Sequence, residues 1–181
     1  MGTFFYFAYG SNMLTERLTA STRCPSATCV DIAYAPDHTL TFTKRSIDLS
    51  GKATLSRADG SHQHGVLFEV DEKESQRLDD VEGRDYRRVN DFQVVRPDRG
   101  EIEAVTYIAS NPETGLVPYD WYLALIVAGA KQHDLPAEQI GALLSTDYQY
   151  EDKNQRAVNG RRNAMAALAQ AGFGSLENIL E

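Results

Sequence analysis

The order of local patterns along the chain is its tightest constraint: strand-like segments crowd the first 110 residues and helix-like segments fill the rest. Segregation of this kind specifies an α+β architecture, because alternating β-α-β units with a parallel sheet would interleave the two. Residues 3–9 are nearly all aromatic or small apolar and read as a strand buried on both faces. Gly10-Ser11-Asn12 breaks it, and Leu14 and Leu18 place a short helix from about Asn12 onward. Strands are expected at 27–35, 38–44, 53–56 and 65–70, separated by turns at Pro36-Asp37, Ser50-Gly51 and Asp59-Gly60. Asp71 and Glu74 read as an N-cap and its box partner, opening a helix that carries Leu78 and Val81 and stops at Gly83. Residues 86–95 and 102–110 flank the turn Pro97-Asp98-Arg99-Gly100 as a hairpin. Helices are then expected around Trp121, Leu125 and Ala128, from Pro136 to Leu144, and over an Ala-rich tail at 151–171. No repeat, low-complexity stretch or linker interrupts the pattern, so residues 1–181 are expected to form one domain, within the roughly 250 residues that one core supports.

Charge and cysteine content narrow the function. With 18 Lys and Arg against 26 Asp and Glu, the net charge of −8 repels polyphosphate, so a nucleic-acid partner is not expected. Cys24 and Cys29 are the only cysteines, too few for a disulfide scaffold, which points to a reducing compartment and a cytoplasmic location. The start Met1-Gly2-Thr3-Phe4-Phe5 lacks the basic region of a signal peptide and the Ser or Thr of a myristoylation site. The longest apolar run, 121–130, is about half of the ~20 residues a bilayer span needs, so no membrane partner is expected either.

Several constellations could carry chemistry. At Tyr6-Phe7-Ala8-Tyr9-Gly10-Ser11-Asn12 a strand turns sharply into a helix start, whose open N–H groups suit a carboxylate. Read alone, Gly ending a strand and Asn capping a helix describes the same residues. Ser11 lacks the elbow of a hydrolase nucleophile, and no histidine is marked as its base. Glu82 falls in the last turn of its helix, where the dipole disfavours a negative charge. Asp79, Asp80 and Asp85 add to that effect, while Arg84, Arg87 and Arg88 oppose it. A carboxyl tuned upward in this way can act as both base and acid near neutrality, although most Glu residues at helix ends are simply solvated. Tyr6, Tyr9, Tyr86 and Tyr122 lie at element edges, where a phenol can pack its ring and still offer a hydrogen bond. His62 and His64 share a strand face but have no third ligand, Cys24 has no base, and Gly129-Ala130-Lys131 lacks the glycine spacing of a phosphate loop, so no metal site is assigned.

In sequence order these pieces resemble one family. The octapeptide from Tyr6 to Met13 closely resembles the N-terminal signature of the γ-glutamylcyclotransferases, related to the AIG2-like proteins. Leu78-Asp79-Asp80-Val81-Glu82-Gly83 looks like their catalytic segment, and Tyr86 and Tyr122, nine residues before Lys131, look like their pocket tyrosines. The resemblance covers about residues 4–150, with 151–181 as a variable helical tail. Asn12 favours the general branch, because the glutathione-degrading branch usually carries Leu after Tyr-Gly-Ser and the γ-glutamylamine branch carries Tyr-Gly-Thr-Leu.

The resemblance implies a small mixed domain with a curved, barrel-like, mostly antiparallel sheet and flanking helices. It also implies cofactor-free cyclisation of γ-glutamyl amino acids or amines to 5-oxoproline. Glu82 would be the general acid/base, with Tyr6, Phe7, Ala8, Tyr9, Gly10, Ser11, Asn12, Tyr86 and Tyr122 around the substrate. Two alternatives stay open: a non-catalytic module that binds a small ligand or protein, and a pathway-specific cyclotransferase that removes a γ-glutamyl protecting group. The leaving amine is unassigned, with segments 43–53 and 111–118 as candidates for recognising it, and a homodimer is neither required nor excluded.

Overall fold

Two long strands, β2 (Thr28–Arg45) and β3 (Gly51–Asp71), form an antiparallel hairpin that supplies most of the sheet. The computed structural model describes residues 2–150 and 152–181. Met1, and Glu151 at which the tail helix is expected to begin, lie outside them. β1 (Thr3–Ala8) pairs antiparallel with β3 in a register running from Thr3 opposite Asp71 to Ala8 opposite Val66. The expected hairpin is present as β4 (Tyr86–Arg96) and β5 (Gly100–Ala109). Tyr34 opposite Val95 joins β2 to β4, and Tyr6 opposite Val105 joins β1 to β5 in a parallel pairing. The five strands thereby close into a ring in the order β1-β3-β2-β4-β5, more irregular than a true barrel.

Four sequence expectations need correction. The turns at Pro36-Asp37 and Asp59-Gly60 do not separate strands. Between the pairs Pro36–His62 and His38–Arg57, β2 spends one residue where β3 spends four, so both dipeptides are absorbed into a bulge. Proline has no N–H to give a ladder, and Asp37 at φ 56° accepts a bond from Gly60 N at 2.8 Å, which seals the irregularity. The strand β1 is buried only in its second half, because Thr3 is exposed and Phe4 and Phe5 are half-buried. The helix near Asn12 is broken at Leu14 (ψ 114°) into a 3-10 turn, Ser11–Met13, and a short α1, Thr15–Leu18. The capping box at Asp71 is not made: Asp71 caps a 3-10 turn through Lys73 N, while Glu74 accepts from the amide and hydroxyl of Ser26.

The helices follow the expected order. They are α2 (Ser75–Glu82), α3 (Asp120–Gln132), α4 (Ala137–Leu144) and α5 (Gln155–Gln170), with an additional short α6 (Leu176–Leu180). Every residue of α3 from Asp120 to Ala130 is buried, as a helix apolar on all sides must be. Asn154 caps α5 by accepting from Arg156 N and Ala157 N, and the bidentate pair of Arg161 with Asp120, at 2.9 and 2.8 Å, ties α5 to the start of α3. Among the described residues no helix is long and apolar enough to cross a membrane.

Candidate active site

Strand register decides where Glu82 goes. Because β3 ends at Asp71 beside Thr3, α2 starts near that end of β1. Its last residue then arrives beside Tyr6 and the Gly10-Ser11-Asn12 turn. Gly83 ends the helix at φ 80° and ψ 177°, a backbone region essentially reserved for glycine.

The meeting place is a cavity of about 180 Å³. Of the residues picked out by sequence, Glu82, Tyr6, Tyr9, Gly10, Ser11, Asn12, Tyr86 and Tyr122 all line it. Phe7 and Ala8 do not. Phe7 lies on the opposite side of β1 from Tyr6, fully buried with its ring against Tyr9 and Phe92. Ala8 offers only a methyl group, 1% exposed within the core.

Asn12 does not cap the helix start: its Nδ2 donates to Glu82 Oε1 at 2.7 Å and to Tyr6 Oη at 3.1 Å. Tyr6 Oη in turn donates to the same carboxylate oxygen at 3.4 Å. Arg23 Nη1 donates to Asn12 Oδ1 at 3.1 Å and so orients the carboxamide from behind. The Ser11 hydroxyl accepts from Arg17 Nε at 3.1 Å, so its partner is a cation and not a base. Tyr86 Oη donates to Ala53 O at 2.6 Å, and Tyr122 Oη accepts from Ala53 N at 3.1 Å. The two phenols thereby grip the backbone N–H and C=O of one residue of β3 and fix the cavity wall.

Burial raises the Glu82 pKa above the usual carboxylate value, against the pull of Arg23, then Arg17, then the bonds from Tyr6 and Asn12. The sequence-local explanation needs correction here. Asp79 is spent on Arg88 (2.8 Å) and on the Tyr107 hydroxyl (2.5 Å), and Asp85 pairs with Lys44 at 3.5 Å. Burial pushes Tyr122 up to about 12, so its hydroxyl stays protonated.

Sequence reasoning named none of the lining's cations Arg17, Arg23, Lys44 and Lys52 as a site residue, nor Ser46, Ala53, Val81 and Tyr107, although Lys44, Ser46, Lys52 and Ala53 fall in the segment 43–53 set aside for the leaving group. Burial and the neighbouring Arg23 lower Arg17 to about 9, and burial lowers Lys52 to about 8 despite its 2.7 Å bond to Asp48. Both remain mainly charged at neutral pH. Among the described residues Glu82 is the only carboxylate in the lining, so the cavity is cationic inside an acidic chain and suits a small anion. Of the two segments considered for the leaving group, 43–53 supplies Lys44, Ser46, Lys52 and Ala53, and 111–118 supplies none of the lining. No group of three or more His, Cys, Asp or Glu side chains placed to hold a metal occurs among the described residues, and His62 instead stacks on Tyr34 with ring centres 4.5 Å apart.

Comparison with known proteins gives consistent results. A sequence model of the AIG2-like family matches residues 62–143. The chain is 32% identical to the gamma-glutamylcyclotransferase of Homo sapiens, over 81% of each chain. It is 34% identical to that of Mus musculus, over 75% of this chain and 74% of the mouse protein. A solved structure of a gamma-glutamyl cyclotransferase superposes with a TM-score of 0.77 at 29% identity, covering 89% of this chain and 99% of that one.

Proposed function

This chain belongs to the γ-glutamylcyclotransferase family, and on that premise we propose that it is an enzyme converting γ-glutamyl amino acids or amines to 5-oxoproline and the free amine. The observation that carries the reading is the position of Glu82: a buried carboxyl, bonded to Asn12 and Tyr6, in one cavity with the Gly10 turn.

The glutamyl α-carboxylate sits at the Gly10-Ser11-Asn12 turn, held by main-chain N–H groups. Tyr6, Tyr9, Tyr86 and Tyr122 enclose the glutamyl carbons. Asn12 and Tyr6 both bond to Oε1, which leaves Oε2 of Glu82 for the substrate. That oxygen takes a proton from the α-ammonium group, whose ordinary pKa is about 8. The freed amine attacks the γ-carbonyl carbon, forming the ring C–N bond. Glu82 then delivers that proton to the departing nitrogen as the original C–N bond breaks. The second proton, shed by the ring nitrogen as it becomes an amide, passes through the same carboxyl to the released amine, which leaves as the ammonium. A raised pKa suits this double duty, because the group must release the proton as readily as it takes it. Closing a five-membered ring within one molecule needs mainly the right rotamer, and holding it can remove several kcal/mol of barrier.

Cys24 and Cys29 are both free thiols, which fits action on a soluble small molecule in the reducing cytoplasm. The direct test is incubation of the purified protein with γ-glutamyl-alanine and chromatography of the products. Stoichiometric 5-oxoproline and alanine are expected. Binding without turnover would favour a non-catalytic module instead.

A further inference from the structure

Arg17, Arg23, Lys52 and Tyr122 line both the cavity and an adjoining second hollow, of about 340 Å³, whose remaining lining the cyclisation itself does not use. The far side of this groove is α5. Arg156, Asn159 and Asn163 are spaced three and four residues apart and so share one face of that helix, exposed to solvent. Close packing brings the face to the groove: a Cβ at Gly160 would come within 2.6 Å of the Trp121 ring. Trp121 in turn lies under Lys52 Nζ, 4.5 Å from the ring centre. The attachment of α5 depends on Arg161 and Asn154, so Arg156 is not needed to hold the helix in place.

The charges around the groove are unbalanced. Among the described residues four cations line it, Arg17, Arg23, Lys52 and Arg156, against the carboxylate of Asp48. Asp48 is already engaged by Lys52 at 2.7 Å and by the amide and hydroxyl of Ser50. Among the described residues Arg17, Arg23 and Arg156 form no ion pair. Arg23 and Arg17 repel one another even though Glu82 attracts both, and a further anion beside them relieves that cost. Their planar forks match a carboxylate in particular, and the carboxamides of Asn159 and Asn163 add neutral donors.

We propose that this groove binds a side-chain carboxylate on the departing half of the substrate, so that γ-glutamyl conjugates of acidic amino acids are preferred over neutral ones. The proposal rests on the cyclotransferase reading and extends it to the leaving group. The test compares kcat/KM for γ-glutamyl-glutamate and γ-glutamyl-glutamine, which are nearly the same shape and differ in one charge. The expected preference for the acidic substrate is about tenfold, the advantage of a charge-assisted hydrogen bond over a neutral one. Arg156→Gln should bring the ratio close to one, and Arg156→Glu should push it below one. Equal use of both substrates by the parent enzyme, or a preference that survives Arg156→Glu, would overturn the groove. Turnover of γ-glutamyl-alanine without such discrimination overturns this inference alone, whereas no turnover of any of the three removes the underlying reading as well.

Discussion

At Glu82 desolvation of the carboxylate and the attraction of Arg23 and Arg17 act in opposite directions, and desolvation is the larger. The folded state therefore holds this proton more tightly than the unfolded chain does. A group with a raised folded pKa favours folding fully below its unfolded pKa, and that benefit is lost as pH rises through the folded value. At neutral pH the desolvation of Glu82 thus costs stability, which Gln, neutral at every pH and similar in shape, does not incur. Glu82→Gln is expected to melt at a higher temperature than the parent at pH 7, with the gap closing toward pH 4; a lower melting temperature at pH 7 would contradict the assignment. Much of the site was legible at this scale because its parts lie in two short motifs, around Gly10 and before Gly83. Phe7 and Ala8 were swept in with the first motif, since contiguity in sequence ignores the alternation of a strand. Arg17 and Arg23 went unnoticed, and Lys44 and Lys52 entered only within a candidate segment, because no local pattern sets them apart from solvated ones; β2, β3 and the segment after Asn12 bring them together only in space.

At the scale of elements, the end of α2 decides whether Glu82 can point into the cavity. Gly83 has nothing within 4 Å of where a Cβ would stand, so the obstacle to a larger residue is its φ of 80° and not space. Gly83→Ala should cost about 1–3 kcal/mol in denaturant unfolding, and it should also lower kcat as the last turn shifts. Unchanged stability would mean that the turn relaxes freely. The helix order, the stop at Gly83 and the β4–β5 hairpin followed from periodicity and turn residues. The merging of four expected strands into β2 and β3 did not, because Pro36-Asp37 and Asp59-Gly60 carry the signals of turns. Only their mutual bond, across 23 residues, turns them into a bulge.

For the whole molecule, closure of the five-strand ring is what makes a site from distant parts. It sets β1 between β3 and β5, so that the first turn of the chain, a carboxyl from its middle and the tyrosine of the buried helix α3 converge. Strand-then-helix segregation made the α+β class readable, while the ring rests on two single-residue pairings that no local pattern encodes. An acidic chain encloses a cationic cavity, and one carboxyl within it is asked to move the proton. The most direct measurement is kcat of Glu82→Gln with γ-glutamyl-alanine, read as 5-oxoproline formed. The account predicts a fall of at least about 10²-fold, the usual worth of general acid–base catalysis. Turnover close to that of the parent enzyme would show that the proton travels by another route.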